Sequence, residues 1–223
     1  MKLSSLPGLR AILFDLDGTL VDSAADLYAA LRPLLQAENR ALPKYSRVRQ
    51  VVSHGAMAIL RVAWPDEDDS AIKTRMPAFL ENYAGMLTTH TRLFPGMDTL
   101  LARIEAAKLP WGVVTNKSTA LTRPLLEGLG LLQRAAVVVA GDTLAVKKPH
   151  PEPVLHACRL AHLIPAETLL VGDDRRDVEA GRLAGLRTVV VRWGYLNGDD
   201  PATLGADMVV DHPKDIATLL GLA

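Results

Sequence analysis

Six short runs of mostly apolar, largely β-branched residues recur along the chain: Ala11–Phe14, Trp111–Val114, Ala136–Val139, Thr168–Val171, Thr188–Val191 and Asp207–Val210. None alternates apolar with polar positions, so each asks to be covered on both faces. Strands of that kind belong to a parallel sheet flanked by helices. Helix-length segments separate the runs, most clearly at Thr99–Lys108, Thr119–Gly128, Glu152–Ala161 and Asp177–Ala184. Strand and helix in alternation predict an α/β fold, a doubly wound, Rossmann-like parallel sheet.

One stretch breaks the rhythm. Between Ser23 and Arg92 there is no convincing strand. Ala24–Ala37 places Leu27, Ala30, Leu31, Leu34 and Leu35 at helical spacing, and Val48–Trp64 and Ile72–Leu87 also read as amphipathic helices. Some seventy residues thus stand where a crossover needs only about a dozen. The excess predicts an all-helical cap, residues 23–92, inserted into a core made of 1–22 and 93–223. Leu93-Phe94-Pro95-Gly96 marks the return to the sheet. A chain of 223 residues is long enough for one large domain with such an insert.

Charge narrows the partners. Twenty-five Lys and Arg balance twenty-five Asp and Glu, which argues against a broad basic surface for nucleic acid. With 4% aromatic residues, a base-stacking platform is not expected either. The lone Cys158 excludes a disulfide-stapled fold and suits a reducing compartment. The apolar runs are too short to span a bilayer, and Met1–Arg10 lacks an apolar core followed by a cleavage site. The expectation is a cytoplasmic protein without nucleic-acid or membrane partners.

The chemistry-bearing residues fall where the runs end. Asp15-Leu16-Asp17-Gly18-Thr19 directly follows the first run. Ligands bind at the carboxyl ends of strands in such sheets, so both carboxylates sit where chemistry is expected. Gly18 permits a tight turn there. By itself the motif also reads as an acidic turn capping a strand. The second run leads into Thr115-Asn116-Lys117, whose hydroxyl can donate to a phosphate oxygen or serve turn chemistry. Lys147-Lys148-Pro149 follows the third run, with a lysine able to neutralise phosphate or carboxylate charge, or simply to be solvated. The fourth run ends in Gly172-Asp173-Asp174, with Asp177 beyond. These acids suit a hard-cation site built from oxygen ligands, or the dipole of a helix N-terminus.

Taken in order, the four motifs are far more specific than any one of them. The chain resembles the haloacid dehalogenase-like hydrolase superfamily over essentially its whole length, and its helical insert looks like that superfamily's type-1 cap. It is most similar to the phosphoglycolate phosphatase-like branch. Trp111–Lys117, Leu170–Asp177 and Gly194-Tyr195 look closest to the bacterial N-acetylmuramic acid 6-phosphate phosphatases.

The resemblance implies a Mg²⁺-dependent phosphomonoesterase that forms an aspartyl-phosphate. Asp15 would be the nucleophile and Asp17 the general acid and base. Asp15, the Asp17 backbone carbonyl and Asp173 would hold Mg²⁺, and Lys148 would offset the negative charge. Thr115, the Asn116 amide and Gly18 would serve the phosphoryl group. Asp177 is implied as an outer partner of the metal or a brace for Lys148, and Asp174 as either. Implied substrates are small phosphate esters, N-acetylmuramic acid 6-phosphate or 2-phosphoglycolate, turned over by a monomer or homodimer. A sugar phosphomutase on the same core, or a non-catalytic metabolite-binding module, are the alternatives.

Substrate recognition is expected from the cap. Ser53-His54-Gly55 offers a histidine and a flexible glycine between cap helices. Arg47, Arg49, Arg61 and Arg123 are candidates for a substrate carboxylate, or solvated helical residues. Trp64 and Trp193 read as packing anchors.

Overall fold

A computed structural model of the chain describes residues 6–222. The first five residues and Ala223, which the sequence reading gives to the core, lie outside the described residues. From the N-terminus, β1 (Ala11–Phe14) and β2 (Val21–Asp22) precede four helices: α1 (Ala24–Ala37), α2 (Tyr45–Gln50), α3 (Ala56–Ala63) and α4 (Asp69–Ala84). Then come β3 (Arg92–Leu93), α5 (Met97–Ala106), β4 (Trp111–Val114), α6 (Thr119–Gly128), β5 (Val137–Val139) and α7 (Glu152–Leu160). The chain closes with β6 (Thr168–Gly172), α8 (Arg175–Leu183), β7 (Arg187–Val191), β8 (Met208–Val210) and α9 (Pro213–Leu219).

Six strands form one parallel sheet in the order β5-β4-β1-β6-β7-β8. Ile12 of β1 lies between Trp111 and Leu169, and Phe14 between Val113 and Val171. All four residues of β1 are buried, as its continuous apolar run demands. After β1 the chain builds outward through β4 and β5, then returns to β1's other side with β6. Connections diverge at that point, so a crevice opens at the carboxyl end of β1. Among the described residues no helix is long and apolar enough to cross a membrane.

The predicted α/β sheet is present, with differences in detail. The expected helix Val48–Trp64 is broken into α2, a 3₁₀ turn at Val52–His54, and α3. Gly55 stands at the break with φ +81°, a conformation that costs glycine little and other residues much. The break turns Ser53 and His54 away from a helical path and onto the core. α4 starts earlier than its apolar spacing suggests, because the Asp68 side chain accepts from Ala71 N at 2.9 Å and caps the helix. Three elements had no counterpart in the sequence reading. One is α9; the others are β2 and β3, an antiparallel pair with Val21 opposite Leu93 and Asp22 opposite Arg92. Strands that short carry no periodicity.

The helices between β2 and β3 pack on one another through Leu31, Leu35, Ile59, Leu60, Phe79 and Tyr83, all fully buried. Where the two chain passages leave the sheet they are buckled by Asp26, in the first turn of α1 and wholly buried. Its carboxylate accepts from His90 N at 2.9 Å, Thr91 N at 2.8 Å and Thr91 Oγ1 at 2.7 Å. Asp26→Ala leaves those donors, the two buried ones of Thr91 among them, unpaired. It is expected to cost about 3 kcal/mol, a fall in Tm of roughly 6–12 °C. Thermal melting of the variant checks this, and an unchanged Tm would contradict it.

Candidate active site

Adjacent parallel strands end side by side, so residues far apart in sequence meet in the crevice beyond β1. Asp15 follows β1, Thr115 follows β4, Asp173 follows β6, Asp177 lies in the first turn of α8, and Lys148 comes from the loop after β5. Asp15, Asp173 and Asp177 each offer a carboxylate oxygen within 4.8 Å of the others, and all three are buried. Lys148 Nζ lies 2.8 Å from Asp15 Oδ1 and 2.6 Å from Asp177 Oδ1, and its third bond goes to the Val114 carbonyl. Asp177 Oδ2 accepts from Asp174 N at 3.1 Å, so both Asp177 oxygens are engaged.

Asp173 is enclosed by backbone. Its Oδ2 accepts from Tyr195 N at 2.7 Å and Ser53 Oγ at 2.9 Å, and Oδ1 from Thr19 Oγ1 at 3.3 Å. A Cβ on Gly18, where φ is +89°, would stand 2.2 Å from Asp173 Oδ2, and one on Gly194 would stand 2.2 Å from Asp173 Cβ. Only glycine permits these approaches. Gly18 therefore shapes the acid's surroundings and does not face the cavity.

Charge in this cluster is unbalanced. Burial, reinforced by the negative charges of Asp15 and Asp177, holds the Asp173 carboxyl well above the ordinary carboxylate range. Burial likewise pushes Asp177 up to about 6 against the pull of Lys148. Burial alone would lower the Lys148 ammonium, but Asp15 and Asp177 outweigh it and raise it above its usual value. Three buried carboxylates thus face one ammonium. The donors are hard oxygens, and the surplus is negative, which fits a divalent cation such as Mg²⁺.

Asp17 lies beside this cluster. Its Oδ1 accepts from Ser23 Oγ, and Lys117 Nζ lies 3.1 Å from Oδ1 and 3.0 Å from Oδ2. The same ammonium donates to Tyr83 Oη at 2.9 Å and sits 4.5 Å from the centre of the Tyr83 ring. Thr115 Oγ1 accepts from Lys117 N at 3.2 Å. Asn116 Nδ2 donates to the Lys148 carbonyl at 2.8 Å. Asn116 Oδ1 is, among the described residues, the buried side-chain polar atom left without a partner.

These groups share one cavity of about 270 Å³, with Asp15, Asp17, Thr115, Asn116 and Lys148 at its floor and His54 and Gly55 on its wall. Asp173 lies behind Asp15, 1% exposed, and is not part of the lining. Opposite the acids the wall is apolar: Leu27, Val52, Ala56, Ile59 and Leu80 from the helical insert, and Leu121 from α6. Asp174 caps α8, is clasped by Arg176 through Nε at 2.7 Å and Nη2 at 2.8 Å, and lies 3.4 Å from His54 Nε2. Arg176 also donates to the Ser53 carbonyl, so the turn at 52–55 docks on the start of α8.

None of the four candidate arginines lines the cavity. Arg61 pairs with Asp69, and Arg49 stacks over the Tyr195 ring at 4.8 Å; Arg47 and Arg123 are exposed. Trp64 and Trp193 anchor loops, donating to Glu38 Oε2 at 2.8 Å and the Thr19 carbonyl at 3.1 Å. The sequence reading assigned no role to Lys117, Tyr83, Ser23, Ser53 or Arg176. Lys117 had a signal, since it directly continues the Thr115-Asn116 motif. Tyr83 had none, being one more apolar position on a cap helix.

The family model described as haloacid dehalogenase-like hydrolase matches residues 12–191. An N-acetylmuramic acid 6-phosphate phosphatase of Pseudomonas putida is 42% identical over 217 residues, covering 96% of this chain and 97% of that protein. A phosphoglycolate phosphatase of Xylella fastidiosa is also 42% identical, over 92% of this chain and 90% of its own length. The crystal structure of a predicted phosphoglycolate phosphatase from Haemophilus somnus superposes with a TM-score of 0.86 at 28% identity, covering 96% of this chain and 99% of that one.

Proposed function

This chain belongs to the haloacid dehalogenase-like hydrolases, and we propose that it is a Mg²⁺-dependent phosphomonoesterase whose nucleophile is Asp15. One observation carries the proposal. A carboxylate bonded to a buried lysine, a second carboxyl two residues on, and a threonine hydroxyl face one cavity. That is the equipment for attacking a phosphorus, protonating what leaves and holding the oxygens that remain.

In the first half-reaction an Asp15 oxygen attacks phosphorus while the bond to the leaving oxygen breaks. Asp17 gives that oxygen its proton and is left as a carboxylate. In the second, Asp17 takes a proton from water as the water oxygen attacks the same phosphorus. The bond to Asp15 breaks, releasing inorganic phosphate and restoring both carboxyl groups. Thr115 Oγ and the Asn116 amide bind the phosphoryl oxygens, and Lys148, whose three donors go to Asp15, Asp177 and the Val114 carbonyl, holds Asp15 in line and offsets negative charge beside it. Asp177, whose Oδ1 meets Lys148 and whose Oδ2 meets the Asp174 amide, braces Lys148. Asp15, Asp173 and the Asp17 carbonyl would hold Mg²⁺, which would supply the charge neutralisation that an anionic nucleophile needs to meet an anionic phosphate.

The helical insert, 23–92, acts as a cap that chooses the leaving group. Its apolar wall favours a substrate with hydrocarbon to bury over a small one without it. This supports N-acetylmuramic acid 6-phosphate, whose acetamido and lactyl methyls match such a wall. The phosphoglycolate phosphatases 42% identical to this chain support 2-phosphoglycolate as the second reading. A kcat/KM comparison of these two with hexose 6-phosphates is the test. A preference of at least about tenfold, roughly 1.4 kcal/mol, for N-acetylmuramic acid 6-phosphate is expected. An equal preference for 2-phosphoglycolate would reverse the choice of substrate.

The cation's linkage to pH follows from the cluster. Folded Asp173 and Asp177 bind protons more tightly than they do in the unfolded chain. Between about pH 4 and 6 the metal-free fold therefore holds more protons, and these groups make it less stable as pH rises. Mg²⁺ competes with those protons. Its stabilising increment in Tm should grow from pH 5 to pH 7.5, and an increment independent of pH would contradict the assignment.

A further inference from the structure

Lys117 is 8% exposed at its side chain, and all three of its ammonium hydrogens are spoken for: Asp17 Oδ1, Asp17 Oδ2 and Tyr83 Oη. Burying an ammonium is costly unless it is paired, so these contacts are what keep Lys117 where it is. None of its donors is left for a phosphoryl oxygen. Its neighbour in the cluster, Lys148, is committed to Asp15; Lys117 is committed to Asp17 in the same way. The partner that completes it, Tyr83, is fully buried on α4 of the helical insert, whereas Lys117 and Asp17 belong to the sheet unit. Ser23 Oγ closes Asp17 from a third side, at the start of α1.

We propose that Lys117 is a positioning residue for Asp17, fixing the plane of its carboxyl group against the leaving oxygen, and that Tyr83 makes this placement depend on the seating of α4. Proton delivery to the leaving group is then tied to the cap being in place over the cavity. The inference rests on the reading of Asp17 as the group that protonates the leaving oxygen.

Leaving groups separate this role from charge or fold. An alkyl phosphate releases a strongly basic alkoxide and needs the proton; p-nitrophenyl phosphate releases a stable phenolate and does not. The readout is the ratio of kcat/KM on the best alkyl phosphate to kcat/KM on p-nitrophenyl phosphate, since kcat/KM reports the transfer to Asp15 alone. Lys117→Met should lower that ratio by about tenfold or more, within the span that a positioned acid contributes. Tyr83→Phe, which keeps the ring and loses the hydroxyl, should lower it in the same direction by less and keeps the question open to measurement if Lys117→Met fails to fold. Asp17→Asn is the control. If it lowers the ratio while Lys117→Met and Tyr83→Phe leave it unchanged, the positioning role is wrong and the acid stands. If Asp17→Asn leaves the ratio unchanged, the acid assignment fails, and this inference with it. An equal loss on both substrates in Lys117→Met would make Lys117 a binding or structural residue, which also overturns the proposal.

Discussion

Asp15→Asn is expected to lower kcat/KM on every phosphomonoester by about four orders of magnitude or more, about 5 kcal/mol of transition-state stabilisation. The side chain keeps its shape, so substrate still enters and Thr115 still meets the phosphoryl oxygens. What is lost is the anionic oxygen that forms the new bond to phosphorus. Stability should not fall with activity. Asp15 is one of three buried acids crowded within 4.8 Å, and the amide removes a like charge while Lys148 keeps its 2.6 Å bond to Asp177. Steady-state kinetics beside a thermal melt make the check. Near wild-type turnover would refute the nucleophile, and a large drop in Tm would refute the account of the cluster's charge.

Lys148→Met has the opposite profile in stability. It removes the ammonium that touches both Asp15 and Asp177 and leaves three buried carboxylates with no counter-charge in contact. Removing one partner of a buried pair costs about 3–5 kcal/mol, which for a chain of this size is a fall in Tm of roughly 6–20 °C. Activity is lost as well, since Asp15 is no longer held in line. Two conditions should relieve the instability. Lowering the pH toward 5 protonates carboxyls whose affinity for protons is already raised by burial. Adding Mg²⁺ supplies positive charge to the same oxygens. A variant that melts like the wild type at pH 8 without Mg²⁺ would contradict the claim that Lys148 balances this cluster.

Sequence made the sheet legible because strands covered on both faces have to be apolar throughout, and Ala11–Phe14, Trp111–Val114 and Thr168–Val171 are. It made the site legible because adjacent parallel strands end together, so that the residues after each run had to meet. The helical insert showed itself as helical spacing where a strand was due. What stayed hidden depends on tertiary contact. Nothing in an apolar helix marks Tyr83 as the residue that meets Lys117, or Asp26 as the acid that ties the two linking passages. The break at Gly55 is a single backbone conformation inside a continuous amphipathic pattern, yet it brings Ser53 to Asp173. Two of the candidate arginines are engaged away from the cavity for a related reason. Asp69 pairs with Arg61, and the Tyr195 ring lies under Arg49.

The account turns on a covalent bond between Asp15 and phosphorus. Acid quenching of the enzyme during turnover of an alkyl phosphate, followed by peptide mass spectrometry, looks for that bond directly. A phosphoryl increment on the peptide containing Asp15, absent from the Asp15→Asn variant, is the predicted result. A phosphoryl group found on any other residue, or none at all while phosphate is being released from a slowly hydrolysed substrate, would contradict it.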